Sequence, residues 1–133
     1  MNVRRAGPEP ARAPANLTVG DDGWVAAVRQ CASPNCDARP AAAPIDLLVI
    51  HDISLPPGRF GGGEIADFFL NRLDARAHPF FAALAGLRVS SHFLIERDGR
   101  ITQFVSCLQR AWHAGASSFE GRTGCNDFSI GVE

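Results

Sequence analysis

The segment Ile45-Asp46-Leu47-Leu48-Val49-Ile50 is short, almost wholly apolar and rich in β-branched residues. Introduced by Pro44, it predicts a strand buried on both faces of a sheet. The strand delivers His51 at its end, and the chain then breaks into a loop through Pro56, Pro57 and Gly58. In open α/β sheets, the crevice beyond the strand ends is the usual seat of chemistry. A neutral imidazole fixed there by rigid backbone suits a metal ion. Taken by itself, the segment better suits a histidine that merely caps the sheet.

The remaining segments fill in an α/β pattern. Asp21-Asp22-Gly23 precede Trp24-Val25-Ala26-Ala27-Val28, which predicts a short amphipathic helix with acidic residues at its start. Residues 31–44 carry Pro34, Pro40 and Pro44 and are expected to form a loop. After Gly61-Gly62-Gly63, a flexible loop beside the site, Ile65, Phe68 and Phe69 fall at the spacing of a helix lying on a sheet. A second helix is expected from Pro79 to Leu84, with proline suited to the first turn and Gly86 ending it. Residues 89–97 and 100–105 are β-rich runs separated by Asp98-Gly99, which predicts a hairpin with a type I′ turn. Residues 110–115 read as a short extended piece and 116–127 as a loop. Phe128-Ser129-Ile130-Gly131-Val132-Glu133 begins a strand on which the sequence stops, the expectation for a fragment. Residues 1–20, rich in Ala, Pro and Arg, cannot bury enough surface to offset ordering entropy and are expected to be a disordered extension. Residues 21–133 are then the N-terminal portion of one domain.

The formal net charge of −1 argues against nucleic acid or an anionic membrane as a main partner. No apolar run approaches the roughly 20 residues that span a bilayer. Prolines at 8, 10 and 14 occupy the place of an export signal's apolar core, so a cytoplasmic protein is expected. Cys31, Cys36, Cys107 and Cys125 then read as reduced thiols without a metal role. Four histidines, His51, His78, His92 and His113, offer candidate ligands, and sequence order alone does not separate ligands from packing residues.

Five ordered motifs narrow the choice: His51-Asp52-Ile53-Ser54-Leu55-Pro56-Pro57-Gly58, His78-Pro79-Phe80-Phe81, Leu87-Arg88-Val89-Ser90-Ser91-His92, Arg110-Ala111-Trp112-His113-Ala114-Gly115 and Cys125-Asn126-Asp127-Phe128-Ser129-Ile130-Gly131-Val132-Glu133. From about Gly23 onward the chain resembles the anhydro-N-acetylmuramyl-L-alanine amidases of cell-wall recycling, zinc amidases related to a phage lysozyme. The resemblance implies a mixed β-sheet flanked by helices, the type 2 amidase fold, with its C-terminal part missing here. It implies a Zn²⁺ cofactor with His51 as one ligand. A second histidine, an aspartate and a catalytic lysine are expected in sequence that this chain lacks, so the 133 residues by themselves are expected to be inactive. Glu133 matches the catalytic glutamate, while Arg88 and Phe80 match positions lining the substrate cleft. The implied substrate is a small muropeptide, and the implied enzyme is a monomer. A non-catalytic muropeptide-binding module on the same scaffold is the alternative. The chain departs from the pattern at Asp52, where asparagine is commoner, at Phe80, where tyrosine is usual, and at Gly124, where an arginine usually precedes the cysteine, leaving Arg122 two positions away.

Overall fold

The computed structural model describes residues 16–133. A five-stranded mixed sheet forms its centre, built from β1 (Arg29–Gln30), β3 (Leu47–Ile50), β4 (Phe93–Ile95), β5 (Ile101–Gln103) and β9 (Ser129–Val132). The order across the sheet is β1-β5-β4-β9-β3. β4 and β5 are antiparallel, whereas β9 runs parallel to both its neighbours. Two helices flank this sheet, α1 (Glu64–Phe69) and α2 (Pro79–Leu84). The α/β architecture with a mixed sheet is therefore the one expected.

The helices form where the apolar spacing placed them. Phe68 and Phe69 of α1 and Phe81 of α2 are buried, and they meet Phe104, Val105, Leu94, Leu55 and Ala111 in the core. The Phe69 and Phe104 rings pack edge to face with centroids 5.2 Å apart. His78 caps α2: its Nδ1 accepts the Phe80 N–H at 3.0 Å, satisfying one of the amides that a first turn leaves open.

Four local expectations need correction. Residues 24–28 are not helical, because side chains capture their backbone groups: Gln103 Oε1 accepts the Val25 N–H at 2.8 Å and Gln30 Nε2 donates to the Val25 carbonyl at 3.1 Å. The loop expected at 31–44 contains β2 (Cys36–Ala38), paired antiparallel with β6 (Gln109–Ala111) and locked by the Arg110 fork on Asp37. Residues 116–127 hold a small hairpin, β7 (Ser118–Phe119) with β8 (Arg122–Thr123), and a 3₁₀ turn over Cys125–Asp127. The β4–β5 hairpin exists, but only Gly99 of its Asp-Gly pair has positive φ (85°), so the turn is not type I′, which requires it at both central residues.

The central strand also differs. β3 pairs only with β9 and lies at the sheet edge, and its alternation leaves Leu48 60% and Ile50 68% exposed. It is not buried on both faces. Within the stretch expected to be disordered, residues 1–15 lie outside the described residues, while Val19 forms an isolated bridge with Val25. The four cysteines are free thiols.

Candidate active site

Parallel pairing of β3 with β9 brings the two expected functional residues together. Ile50 is in register with Val132, and the next residue of each strand is His51 and Glu133. The His51 N–H donates to the Val132 carbonyl at 2.8 Å. The Glu133 backbone is held on its other side by β4: its N–H donates to the Phe93 carbonyl at 3.0 Å and its carbonyl accepts from Ile95 at 2.8 Å. Both residues line a cleft of about 270 Å³ walled by Asp52, Ile53, Leu55, Phe60 and Leu94, with Arg59 and Arg97 also lining it. Arg97 lies over the Phe60 ring, 3.6 Å from its centroid.

Burial is the main reason that the Glu133 carboxyl is pushed up to about 7, and the Asp52 charge adds to it. A carboxyl so poised exchanges protons near neutral pH.

The histidines divide by role. His51, His113 and His92 cluster: ring centroids are 5.2 Å apart for His51–His113 and 6.0 Å for His92–His113. A hydrogen bond of 3.0 Å joins His51 Nε2 to His113 Nδ1, and one of 3.0 Å joins His113 Nε2 to Ser129 Oγ. Fully buried His92 accepts the Gly131 N–H at Nδ1 (3.0 Å) and is lowered to about 4, chiefly by burial. His113 is lowered to about 3 for the same first reason, with His92, His51 and Arg39 adding to it. His78, the helix cap, stands apart.

The donor set matches one corner of a metal centre. His51 has one ring nitrogen engaged and one without a bond among the described residues, and a carboxylate stands at the next strand end. Among the described residues, no group of three or more His, Cys, Asp or Glu is placed to hold a metal ion. Apart from that open nitrogen of His51, the ring nitrogens of the clustered histidines are engaged by one another, by the Ser129 and Arg39 side chains and by the backbone.

Arg88 and Phe80 are not among the residues lining this cleft. Arg88 is exposed beside a smaller hollow between the helices, with Phe68, Asn71 and Phe81, and Phe80 is 41% exposed on α2. Arg122 is committed elsewhere: its guanidinium pairs with Asp46 at 3.0 and 3.1 Å and lies 3.9 Å from the Phe128 ring centroid. Gly124 has φ 71°, a conformation that an arginine adopts only under strain.

Two residues that the sequence did not single out hold the site's scaffold, although Asn126 falls inside the last of the five motifs. Arg39, in the stretch read as loop, donates to the carbonyls of Cys107, Asn126, Asp127 and Ser129, fixing the approach to β9. Asn126 Oδ1 accepts the His113 and Ala114 N–H groups at 3.1 and 2.9 Å.

Comparison with known proteins places the fold in a family. The family profile described as N-acetylmuramoyl-L-alanine amidase matches residues 41–133. The chain is 56% identical over 113 residues to the 1,6-anhydro-N-acetylmuramyl-L-alanine amidase AmpD of Citrobacter freundii, covering 85% of this chain and 60% of that protein. For the protein of the same name from Haemophilus influenzae the identity is 56%, with 85% and 61% covered. The crystal structure of a selenomethionine AmpD derivative superposes with a TM-score of 0.81 at 55% identity, covering 84% of this chain and 63% of that one. The chain spans about 60% of the length of these relatives.

Proposed function

The chain belongs to the N-acetylmuramoyl-L-alanine amidase family, and from that premise we propose that its cleft serves zinc-dependent hydrolysis of the amide joining the lactyl group of (anhydro-)N-acetylmuramic acid to L-alanine in muropeptides. The observation that carries this reading is the placement of His51 and Glu133 at the ends of adjacent parallel strands, on one cleft. The setting is cell-wall recycling in the cytoplasm, by a monomer acting on a small soluble substrate. Among the described residues no helix is long and apolar enough to cross a membrane.

Each residue has a distinct task. His51 supplies one ligand to the metal, and the resemblance assigns a further histidine and an aspartate to sequence beyond this chain. Zinc bound there would supply Lewis acidity and would make water a better nucleophile near neutral pH. Glu133, anchored through its backbone to β4, accepts the proton of the attacking water and returns it to the departing L-alanine amine. Burial, with the Asp52 charge adding to it, keeps the carboxyl basic enough for that transfer. Arg88, which pairs with no carboxylate among the described residues, binds a carboxylate of the stem peptide, and Phe80 offers it an apolar contact.

The test is a chimaera in which this chain is completed with the remaining residues of the Citrobacter freundii relative. It is expected to release stem peptide from anhydromuropeptides and to stop on chelation, with activity restored by Zn²⁺. Turnover that persists after verified metal removal overturns the zinc mechanism. A chimaera that binds the muropeptide without cleaving it points instead to the binding-module alternative.

A further inference from the structure

We propose that His113 is the positioning residue of the site, holding the His51 ring through Nε2 so that Nδ1 is the nitrogen left for a metal ion; this rests on the amidase reading above.

The His113 ring is held on every side. Its Nδ1 is 3.0 Å from His51 Nε2, its Nε2 is 3.0 Å from Ser129 Oγ, and its own backbone N–H donates to Asn126. The ring lies against the backbone of Gly131 so closely that a Cβ there would meet His113 Cγ at 2.5 Å and Nδ1 at 2.8 Å. Gly131 therefore provides the seat, and Ser129, fully buried on the same strand, provides the stop. Because β9 also carries Glu133 one residue beyond Val132, a single strand sets the carboxylate, the seat of His113 and, through His113, the angle of His51.

Hydrogen-bond polarity follows from chemistry. A neutral imidazole carries one N–H and one lone pair. If Ser129 donated to His113 Nε2, then His113 Nδ1–H would donate to His51 Nε2, and His51 would carry its proton on Nδ1 with no nitrogen open. In the opposite sense, His51 Nε2–H donates to His113 Nδ1 and His113 Nε2–H donates to Ser129 Oγ. Only that sense leaves His51 a free lone pair, at Nδ1. Partners of this kind fix the tautomer and ring angle of metal-binding histidines generally.

The 133-residue chain, labelled with ¹⁵N in its histidine rings, provides the test. Long-range proton–nitrogen spectra are expected to show both His51 and His113 protonated at Nε2, with a nitrogen–nitrogen coupling across the hydrogen bond. Added Zn²⁺ is expected to shift His51 Nδ1 and leave Nε2–H in place. In His113→Leu the coupling vanishes, and the Zn²⁺ concentration needed for half the His51 shift rises by about ten- to a hundredfold. Gly131→Ala, which expels the ring without removing it, is expected to do the same. His113→Asn, placing a carbonyl acceptor near the lost Nδ1, is expected to restore most of the Zn²⁺ response. A proton found on His51 Nδ1, or a Zn²⁺ response unchanged in a folded His113→Leu, overturns the proposal. Should that variant not fold, the wild-type spectrum decides alone. An inactive chimaera with these spectra intact removes the amidase reading and leaves the positioning role standing.

Discussion

Glu133 titrates near neutrality because it is half-buried and shares the cleft with Asp52, and the two causes separate experimentally. Asp52→Asn removes the charge and leaves the burial, so the Glu133 midpoint, about 7 in the parent, is expected to move down yet stay above that of an ordinary carboxylate. A carbon-detected titration of the side chain reads this directly, and a parent midpoint at the ordinary glutamate value would remove Glu133 as a base suited to neutral pH. In the chimaera, Glu133→Gln is expected to retain zinc while turnover falls by about a hundredfold or more. Loss of zinc in parallel with activity would recast Glu133 as a ligand. Arg88→Ala is expected to raise KM with kcat nearly unchanged, the signature of binding lost equally from ground and transition states. The strand ends at His51 and Glu133 were legible because each follows an apolar run. Sequence order did not separate His113 from the other histidines, because its bond to His51 spans 62 residues and forms only once β9 supplies Gly131 and Ser129.

At the scale of elements, Gln103 shows how a buried side chain overrides local propensity. It has no exposed surface, accepts the Val25 N–H, and donates to the Gly23 and Val105 carbonyls at 2.9 and 3.0 Å. Gln103→Leu fills similar volume but leaves the Val25 N–H and the Val105 carbonyl without partners, at about 1–3 kcal/mol for each one left buried, while the Gly23 carbonyl keeps the Cys107 N–H at 2.9 Å. Urea unfolding is expected to show a lower midpoint at unchanged slope, with fast amide exchange at Val25. Protection at Val25 equal to the parent's would mean that another contact orders residues 22–25. This is also why the expected helix at 24–28 failed: periodicity reports which faces are apolar, and a glutamine 78 positions away is invisible to it. α1 and α2 were legible for the converse reason, since their stripe, proline and cap are local. β2, β7 and β8 are two or three residues long and take their form from partners, so no run announced them. The burial of β3 was overestimated because an apolar strand reads alike whether both its faces are covered or one stands open, as at Leu48 and Ile50.

Over the whole molecule, buried titratable groups set how folding responds to acid. His92 and His113 are lowered to about 4 and 3 from 6.5. As pH falls below 6.5, the unfolded chain takes up protons that the folded one refuses, so stability present above that pH is lost on acidification. Glu133 acts in the opposite sense: its folded pKa of about 7 lies above 4.5, so it contributes stability that is present below 4.5 and lost as pH rises through 7. Two protons stand against one between 6.5 and 4.5. The metal-free chain should therefore lose at most about 1.4 kcal/mol per pH unit of acidification there, and less after solvent screening at the part-exposed Glu133 and His113. Denaturation midpoints measured from pH 7.5 to 5 check this, and a midpoint that is flat or rises towards acid contradicts it.

β9 follows the other four strands of the sheet in sequence, yet it lies between β4 and β3. A chain emerging from the ribosome therefore displays His51 78 residues before the first residue of the strand that will receive it, Ser129, and β3 has no other neighbour in the sheet to wait beside. Closure of so long a loop costs entropy before any contact repays it, which makes this insertion a late and slow event. In pulse-labelled refolding, amides of β3 should gain protection only together with those of β9, whereas the β4–β5 hairpin gains it earlier. Earlier protection of β3 would refute this order. During synthesis, then, the cleft has no half-built form: His51 and Glu133 meet only when the strand between β4 and β3 is in place.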